Sequence, residues 1–344
     1  MSQVVEHLAE LTAYRDRDVL DVTLAGALRD LLNPSGVTIA RCVGEAGGQR
    51  WLVRARLQAD DAVATADAAW SELDTLPTLD AAPDRARCLH TRQVLRVVGT
   101  PHCSYFPLVN ERETVGVLQI ETQEPLSDAE QRMVLGILRL YGNLQMLLDY
   151  GERDTLTGLL NRKTFDNSFA RLSAQPPRAA TTHDENGLRK PLAAASFWLG
   201  VLDIDHFKRV NDNFGHLIGD EVLLLMSRLM RSTFRYQDQL FRFGGEEFVV
   251  LMRCANAADA GRAFDRLRGN VERYAFPKVG RVTISLGYTE LRPGDTPAMA
   301  FERADKAVYF AKQNGRNQVH HHADLVSAGH LADAAVDDSD VELF

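Results

Sequence analysis

Two glycines and two acids stand together at Gly244-Gly245-Glu246-Glu247-Phe248, between the strand-like runs Leu240 to Phe243 and Phe248 to Met252. Paired glycines between strands signal a two-residue hairpin turn. They tolerate positive φ and let a ligand approach the backbone closely. On an extended strand Glu246 and Glu247 would point to opposite faces, so at most one of them meets a given metal directly. By itself the segment also fits a plain turn with solvated acids. A second acidic segment changes the balance. Phe197 to Asp203 reads as a buried strand, and Leu202-Asp203-Ile204-Asp205 places a carboxylate at its end. His206-Phe207-Lys208 then turns into a helix, and exposed N–H groups at such a turn suit phosphate oxygens. Hard oxygen ligands beside phosphate are what magnesium takes. Neighbouring strands of one sheet would bring Asp203 and Glu246 together, which supports metal-assisted attack on a phosphate.

These segments are part of an ordered series. Asp154-Thr155-Leu156-Thr157-Gly158-Leu159-Leu160-Asn161-Arg162 comes first, then Leu202 to Asp220, then Arg242 to Phe248. Ile284-Ser285-Leu286-Gly287 follows, and Ala304-Asp305-Lys306, Tyr309, Ala311-Lys312 and Gly315-Arg316-Asn317 close it. In order and spacing the series closely resembles the GGDEF family of diguanylate cyclases, over about residues 152 to 320. The resemblance implies an enzyme that joins two GTP molecules into cyclic di-GMP with release of pyrophosphate. It implies that Asp203, Glu246 and the Ile204 carbonyl bind Mg2+, with Mn2+ as the alternative ion and Glu247 as a further candidate ligand. Glu246 is also the candidate base for the attacking 3′-hydroxyl, although a metal-bound carboxylate is a weak base and the ion itself can lower the hydroxyl's pKa. Lys208 would neutralise charge on the transferred phosphate. The N–H groups of His206 and Phe207 would hold phosphates beside the Gly244-Gly245 turn. Lys312 and Arg316, four apart on one helix face, match the triphosphate-binding pair. Asn211 and Asp220 would read the guanine edge, with His216 in the same segment. A carboxylate accepts from guanine N1–H and N2–H2, which favours GTP over ATP. Asp220 equally suits the N-cap of a helix beginning at Glu221.

In this family each subunit binds one GTP and two half-sites meet, so the resemblance implies a homodimer. Arg235-Tyr236-Gln237-Asp238 is separated from Gly244 by five residues. That is the RxxD pattern of the family's inhibitory site, where Arg235 and Asp238, with Arg266 from the next helix, would hold cyclic di-GMP as feedback inhibitor. A surface ion pair is the plain alternative. A catalytically silent cyclic di-GMP receptor is the rival function.

The elements that must position these residues give an α/β (α+β) chain. Residues 1–126 read as a sensor domain, 127–152 as a signalling helix, 153–322 as the cyclase domain and 323–344 as a disordered acidic tail. In the cyclase domain, helices at 162–172, 221–234, 257–274 and 297–313 alternate with strands at 197–203, 240–243, 248–252 and 282–288, which means helices packed on a central sheet. The Pro-, Ala- and Thr-rich stretch 173–195 reads as a mobile loop. His320-His321-His322 reads as the start of the tail, with metal binding as the alternative. The first region carries a helix at 17–33 and strands at 37–43, 51–57, 104–109 and 115–121, leaving 60–87 ambiguous. It resembles a GAF sensor domain most in Tyr105 to Val109 and Val115 to Glu121, with a PAS domain as runner-up. From Ser127 a long helix starts in a capping box with Glu130. Its apolar positions Val134, Ile137, Tyr141, Leu144 and Leu148 step by 3, 4, 3 and 4. They fit a short coiled-coil seam or a face packed on the helix's own domain.

The 344 residues are 45% hydrophobic and 25% charged, a globular composition for two domains. A net charge of −8 argues against nonspecific nucleic-acid or anionic-membrane binding. No apolar run reaches the roughly 18 residues of a membrane helix, and no signal peptide is recognisable, so a cytoplasmic location is expected. Cys42, Cys88, Cys103 and Cys254 lack zinc-ligand spacing and read as free thiols.

Overall fold

The computed structural model describes residues 17–45, 47–67, 70–110, 114–173, 181–183, 189–191 and 196–332. The chain divides into two compact units, Met1–Gly151 and Glu152–Phe344. Among the described residues no helix is long and apolar enough to cross a membrane.

In the first unit α1 (Arg17–Leu32) precedes β1 (Gly36–Val43) and β2 (Arg50–Gln58). Two short 3-10 turns and α2 (Pro83–Thr91) occupy the ambiguous stretch, followed by β3 (Leu95–Val97), β4 (His102–Val109), β5 (Thr114–Thr122) and α3 (Asp128–Glu152). The strands form one antiparallel sheet in the order β2-β1-β5-β4-β3. Register puts Ile39, Leu118 and Phe106 in one row, and this face is buried with Leu20, Leu24 and Leu28 of α1. On the opposite face Ala40, Trp51, Tyr105 and Val117 pack against Ala86, Cys88 and Leu89 of α2.

The capping box forms as read: Glu130 N–H donates to Ser127 Oγ, and Ser127 N–H donates to Glu130 Oε2 at 2.7 Å. The apolar stripe of α3 is used differently from a coiled-coil seam. Val134, Ile137 and Tyr141 are buried in the first unit's own core, and Leu144 and Leu148 pack against that core. The sheet face needed covering, and this stripe covers it.

In the second unit β6 (Leu160–Asn161) and α4 (Arg162–Ser173) come first. Where a loop was expected, β7 (Thr181–His183) pairs antiparallel with β8 (Arg189–Pro191), and the rest of 174–195 lies outside the described residues. Then follow β9 (Ser196–Ile204), α5 (Phe207–Phe214), α6 (His216–Thr233), β10 (Gln239–Gly244), β11 (Glu247–Cys254) and α7 (Ala257–Arg273). A small ribbon of β12 (Ala275–Phe276) and β13 (Gly280–Arg281) leads to β14 (Ile284–Glu290), α8 (Pro297–Gln313), β15 (Val319–His321) and α9 (His322–Ser327). The main sheet runs β15-β14-β9-β11-β10-β6.

Helices cover both faces. Leu202, Phe248 and Leu286 share a row and are buried with Met226 of α6 and Phe264 of α7. On the other face α8 comes so close to β14 that a Cβ at Gly287 would lie 2.2 Å from the Ala304 carbonyl oxygen. The histidine run is not the start of a disordered tail. Val319–His321 is a parallel edge strand, His321 stacks on Tyr288 with ring centroids 4.9 Å apart, and Leu325 of α9 is buried. These contacts order the chain to Ala332, and residues 333–344 lie outside the described residues.

Candidate active site

The acidic hairpin differs in detail from its reading in sequence. Gly244 still pairs with Glu247, so the two-residue turn is Gly245-Glu246 rather than Gly244-Gly245. Gly245 has φ 50° and Gly244 φ 139°, both in the region that favours glycine. A register shift between Arg242 and Gly244 moves the turn. Glu246 is therefore a turn residue and Glu247 begins the strand, and the opposite-faces argument does not apply to them.

The ladder with β9 gives Glu247 a partner. Glu247 is the register partner of Asp203, whose partner on its other side is Ser285. Paired residues of antiparallel strands share a face, so Glu247 and Asp203 project to the side covered by α8. From that helix Lys312 Nζ reaches Asp203 Oδ2 at 2.8 Å.

Burial pushes the Asp203 carboxyl above the ordinary range, and the charges of Asp205 and Asp305 push it further, against the pull of Lys312. Glu246 is raised by burial and by Asp203 and Glu247. Glu247 is raised by burial and by Asp203 and Asp305. Asp305 of α8 is thus a fourth acid of the cluster, itself raised by burial. Its place in the Ala304-Asp305-Lys306 match was the only signal of it in the sequence.

This donor set fits a divalent ion. Asp203 Oδ1 is buried and has no hydrogen-bond partner. Among the described residues no three His, Cys, Asp or Glu side chains are arranged to enclose an ion. Magnesium is usually held by one or two carboxylates, with substrate phosphates and waters completing its shell. Asp203 with Glu247 or Glu246 suits that arrangement.

The hairpin is braced from below. Arg242 Nε and Nη2 donate to the Gly245 carbonyl at 3.1 and 2.8 Å, and its Nη1 meets Asp154 Oδ1 at 2.9 Å. Thr157 donates to the same oxygen through both its N–H and its hydroxyl. Burial opposes ionisation of Asp154, but these donors and the Arg242 charge outweigh it and hold its pKa low.

On the phosphate side His206 has φ 59°, and the turn leads directly into α5. Lys208 is exposed beside it. Gly215, at φ 83°, separates α5 from α6. Because α6 already starts at His216, Asp220 is an exposed residue of its second turn and not an N-cap. A Cβ at Gly219 would lie 2.0 Å from Asn211 Oδ1, so glycine there lets Asn211 pack close to the turn that presents Asp220. Arg316 follows Gly315 in a left-handed turn at φ 61°.

Arg235 to Asp238 form a turn. Asp238 Oδ2 accepts from the Arg235 N–H at 2.9 Å, and the Asp238 N–H donates to the Arg235 carbonyl at 3.0 Å. Burial pushes the Asp238 carboxyl up to about 6, against this hydrogen bond and the charges of Arg235 and Arg266. Arg266 donates to the Thr233 carbonyl at 3.0 Å.

Residues 152–318 match the family described as diguanylate cyclase, GGDEF domain. Diguanylate cyclase DgcP of Pseudomonas aeruginosa is 41% identical over 170 residues, 48% of this chain and 23% of that protein. Diguanylate cyclase A of Treponema denticola is 30% identical over 250 residues, 69% of this chain and 64% of that protein. The chain thus spans less than two thirds of either relative. A solved GGDEF domain of DgcB from Caulobacter crescentus, in complex with c-di-GMP, is 32% identical, covering 50% of this chain and 93% of that one with a TM-score of 0.42.

Proposed function

We propose that the chain, whose residues 152–318 carry a GGDEF domain, is a diguanylate cyclase that condenses two GTP into cyclic di-GMP and two pyrophosphates. The observation that carries this reading is the pairing of Glu247 with Asp203 beneath Lys312, with a buried carboxylate oxygen left for a cation. Asp203 and Glu247, with Glu246 and the Ile204 carbonyl, would hold Mg2+ or Mn2+. The ion would supply charge neutralisation at the α-phosphate and lower the pKa of the 3′-hydroxyl.

The residues of the chain do the rest. Asp220 accepts from guanine N1–H and N2–H2, and the Asn211 amide can both accept from and donate to the guanine edge, with His216 nearby. The His206 and Phe207 N–H groups and Lys208 meet phosphate oxygens. Lys312 exchanges its contact with Asp203 for the triphosphate, which it grips with Arg316. Glu246, in the turn and with a raised pKa, takes the 3′-hydroxyl proton as that oxygen attacks the α-phosphate of the other GTP and pyrophosphate leaves. A second attack in the opposite sense closes the ring.

Two half-sites are needed, so the active species is a homodimer. The face of α3 turned away from its own core supports this: Leu140, Leu147 and Tyr150 are 44%, 69% and 79% exposed and step by seven and three. We read the first unit as a GAF-like sensor on its helix-flanked antiparallel sheet. We read Arg235, Asp238 and Arg266 as a product-binding inhibitory site.

Incubation with Mg2+ and GTP, followed by chromatography of the products, tests the proposal. Cyclic di-GMP and pyrophosphate are expected from the wild type, and from Glu246→Gln at about a hundredth of the rate. Tight cyclic di-GMP binding with no product from GTP would leave the silent-receptor reading in its place.

A further inference from the structure

The carboxylate of Asp205 has no part in the chemistry above, yet it is buried two residues from Asp203. Its Oδ1 accepts from Ser285 Oγ at 2.7 Å. Its Oδ2 accepts from Thr283 Oγ1 at 2.7 Å and from the backbone N–H of Asn317 at 3.1 Å. Its own N–H donates to the Thr283 carbonyl at 2.9 Å. No lysine or arginine pairs with it among the described residues, so hydrogen-bond donors alone satisfy its buried oxygens.

What these bonds join is specific. Asp205 immediately precedes His206, at φ 59°, and Asn317, at φ 49°, immediately follows Arg316, at φ 61°. Left-handed backbone is unfavourable for residues other than glycine and persists where the surroundings enforce it. Asn317 is held a second time from α7, donating to Glu272 Oε1 at 3.0 Å and accepting from Arg268 Nη1 at 3.2 Å. One carboxylate thus ties the turn ahead of α5 to the turn after α8.

We infer that Asp205 is a positioning residue for the triphosphate, fixing Arg316 relative to the His206-Phe207-Lys208 turn so that both meet one chain of phosphates. The inference rests on the GTP-site reading. It separates Asp205 from the guanine readers Asn211 and Asp220, which lie on α5 and α6 and are not tied to Asn317.

That separation supplies the test. Binding of a non-hydrolysable GTP analogue and of GMP, both with Mg2+, is measured by NMR titration for wild type, Asp205→Ala and Asp205→Asn. In Asp205→Ala the Asn317 N–H loses its acceptor, and the analogue should bind about tenfold to a hundredfold more weakly. GMP affinity should stay within about twofold, since its contacts are those of the base and one phosphate. Asp205→Asn should keep most of the analogue affinity. Its amide oxygen can turn to the Asn317 N–H while the NH2 faces Ser285 Oγ, which can accept. If Asp205→Ala does not fold, the double variant Thr283→Val, Ser285→Ala loosens the carboxylate and should give the same selective loss, about threefold to tenfold.

Equal weakening of both nucleotides, or unchanged analogue binding in a folded variant, overturns the inference. Wild-type protein that binds neither nucleotide overturns the GTP-site reading itself, and the inference with it.

Discussion

Glu247 stands directly opposite Asp203 in the ladder between β9 and β11, on the face that α8 covers. Burial raises both carboxyls, Asp205 and Asp305 push Asp203 further, and Asp203 and Asp305 push Glu247 further. Lys312 supplies one positive charge at 2.8 Å from Asp203. A divalent ion would supply two and would also meet the buried Asp203 Oδ1.

The consequence is a division of labour that metal titration can read. Glu247→Gln should raise the Mg2+ concentration for half-maximal activity about tenfold or more, with activity partly restored at high Mg2+. Glu246→Gln should lower kcat by about a hundredfold without such rescue, as expected of a lost proton acceptor. The same metal dependence for Glu247→Gln as for wild type would remove Glu247 from the ion's shell.

Much of this site was legible before the fold was known, and the missing parts share a cause. The acidic hairpin, the strand ending at Asp203 and the turn at His206 are local patterns, and local turn and strand chemistry carries them. The partner of Asp203 is not local. It depends on a register shift between Arg242 and Gly244, which moves the turn by one residue and makes Glu247 the ladder partner of Asp203. Asp305 and Lys312 reach the cluster from a helix about a hundred residues downstream, and no period within that helix says what it packs against. Period likewise described the Val134 to Leu148 stripe of α3 but could not choose its partner, which is the sheet of its own unit. Residues 323–332 do not read as ordered from sequence, because acidic, alanine-rich composition outweighs a few contacts, the stacked His321 ring and the buried Leu325.

The same α3 helix makes a stability prediction. Asp21 of α1 is buried against Arg41 at 3.4 Å and Arg54 at 3.6 Å, and it accepts from the Tyr141 hydroxyl. Gln145 donates to that hydroxyl at 3.1 Å. Removing the carboxylate leaves arginine charge buried and uncompensated. Asp21→Ala should therefore destabilise the first unit by about 3–5 kcal/mol, and Tyr141→Phe by about 1–3 kcal/mol. Urea denaturation followed by far-UV circular dichroism measures both. A loss under about 1 kcal/mol for Asp21→Ala would mean that water already solvates the network.

Leu140, Leu147 and Tyr150 face away from that network and toward solvent. If they pair two copies, a charge at the centre of the stripe should separate them. Leu147→Glu should weaken dimerisation about tenfold or more in sedimentation equilibrium. Specific activity should then fall steeply on dilution, because each half-site needs the other. A dimer of unaltered affinity in Leu147→Glu would exclude this face.

If Asp238 holds the product as proposed, the product's grip should depend on pH. Burial raises its carboxyl to about 6, and the groups that face it are Arg235, Arg266 and Cys254. The thiol of Cys254 is pushed up to about 11 by burial, so of the two acids it is Asp238 that titrates near neutrality. The sign follows from its role. As a carboxylate, above about pH 6, it accepts from the Arg235 N–H and can accept from guanine. Protonated, below that pH, it loses half its acceptor capacity and the charge that draws Arg235. Inhibition by cyclic di-GMP should accordingly weaken as pH falls through 6, by at most about tenfold for each further unit. Isothermal titration of cyclic di-GMP between pH 5 and pH 7.5 reads this directly. Asp238→Asn should bind weakly at every pH with a flat profile, and Arg235→Ala should raise product yield by relieving feedback. A flat profile in the wild type would show that the bound product does not depend on the Asp238 carboxylate.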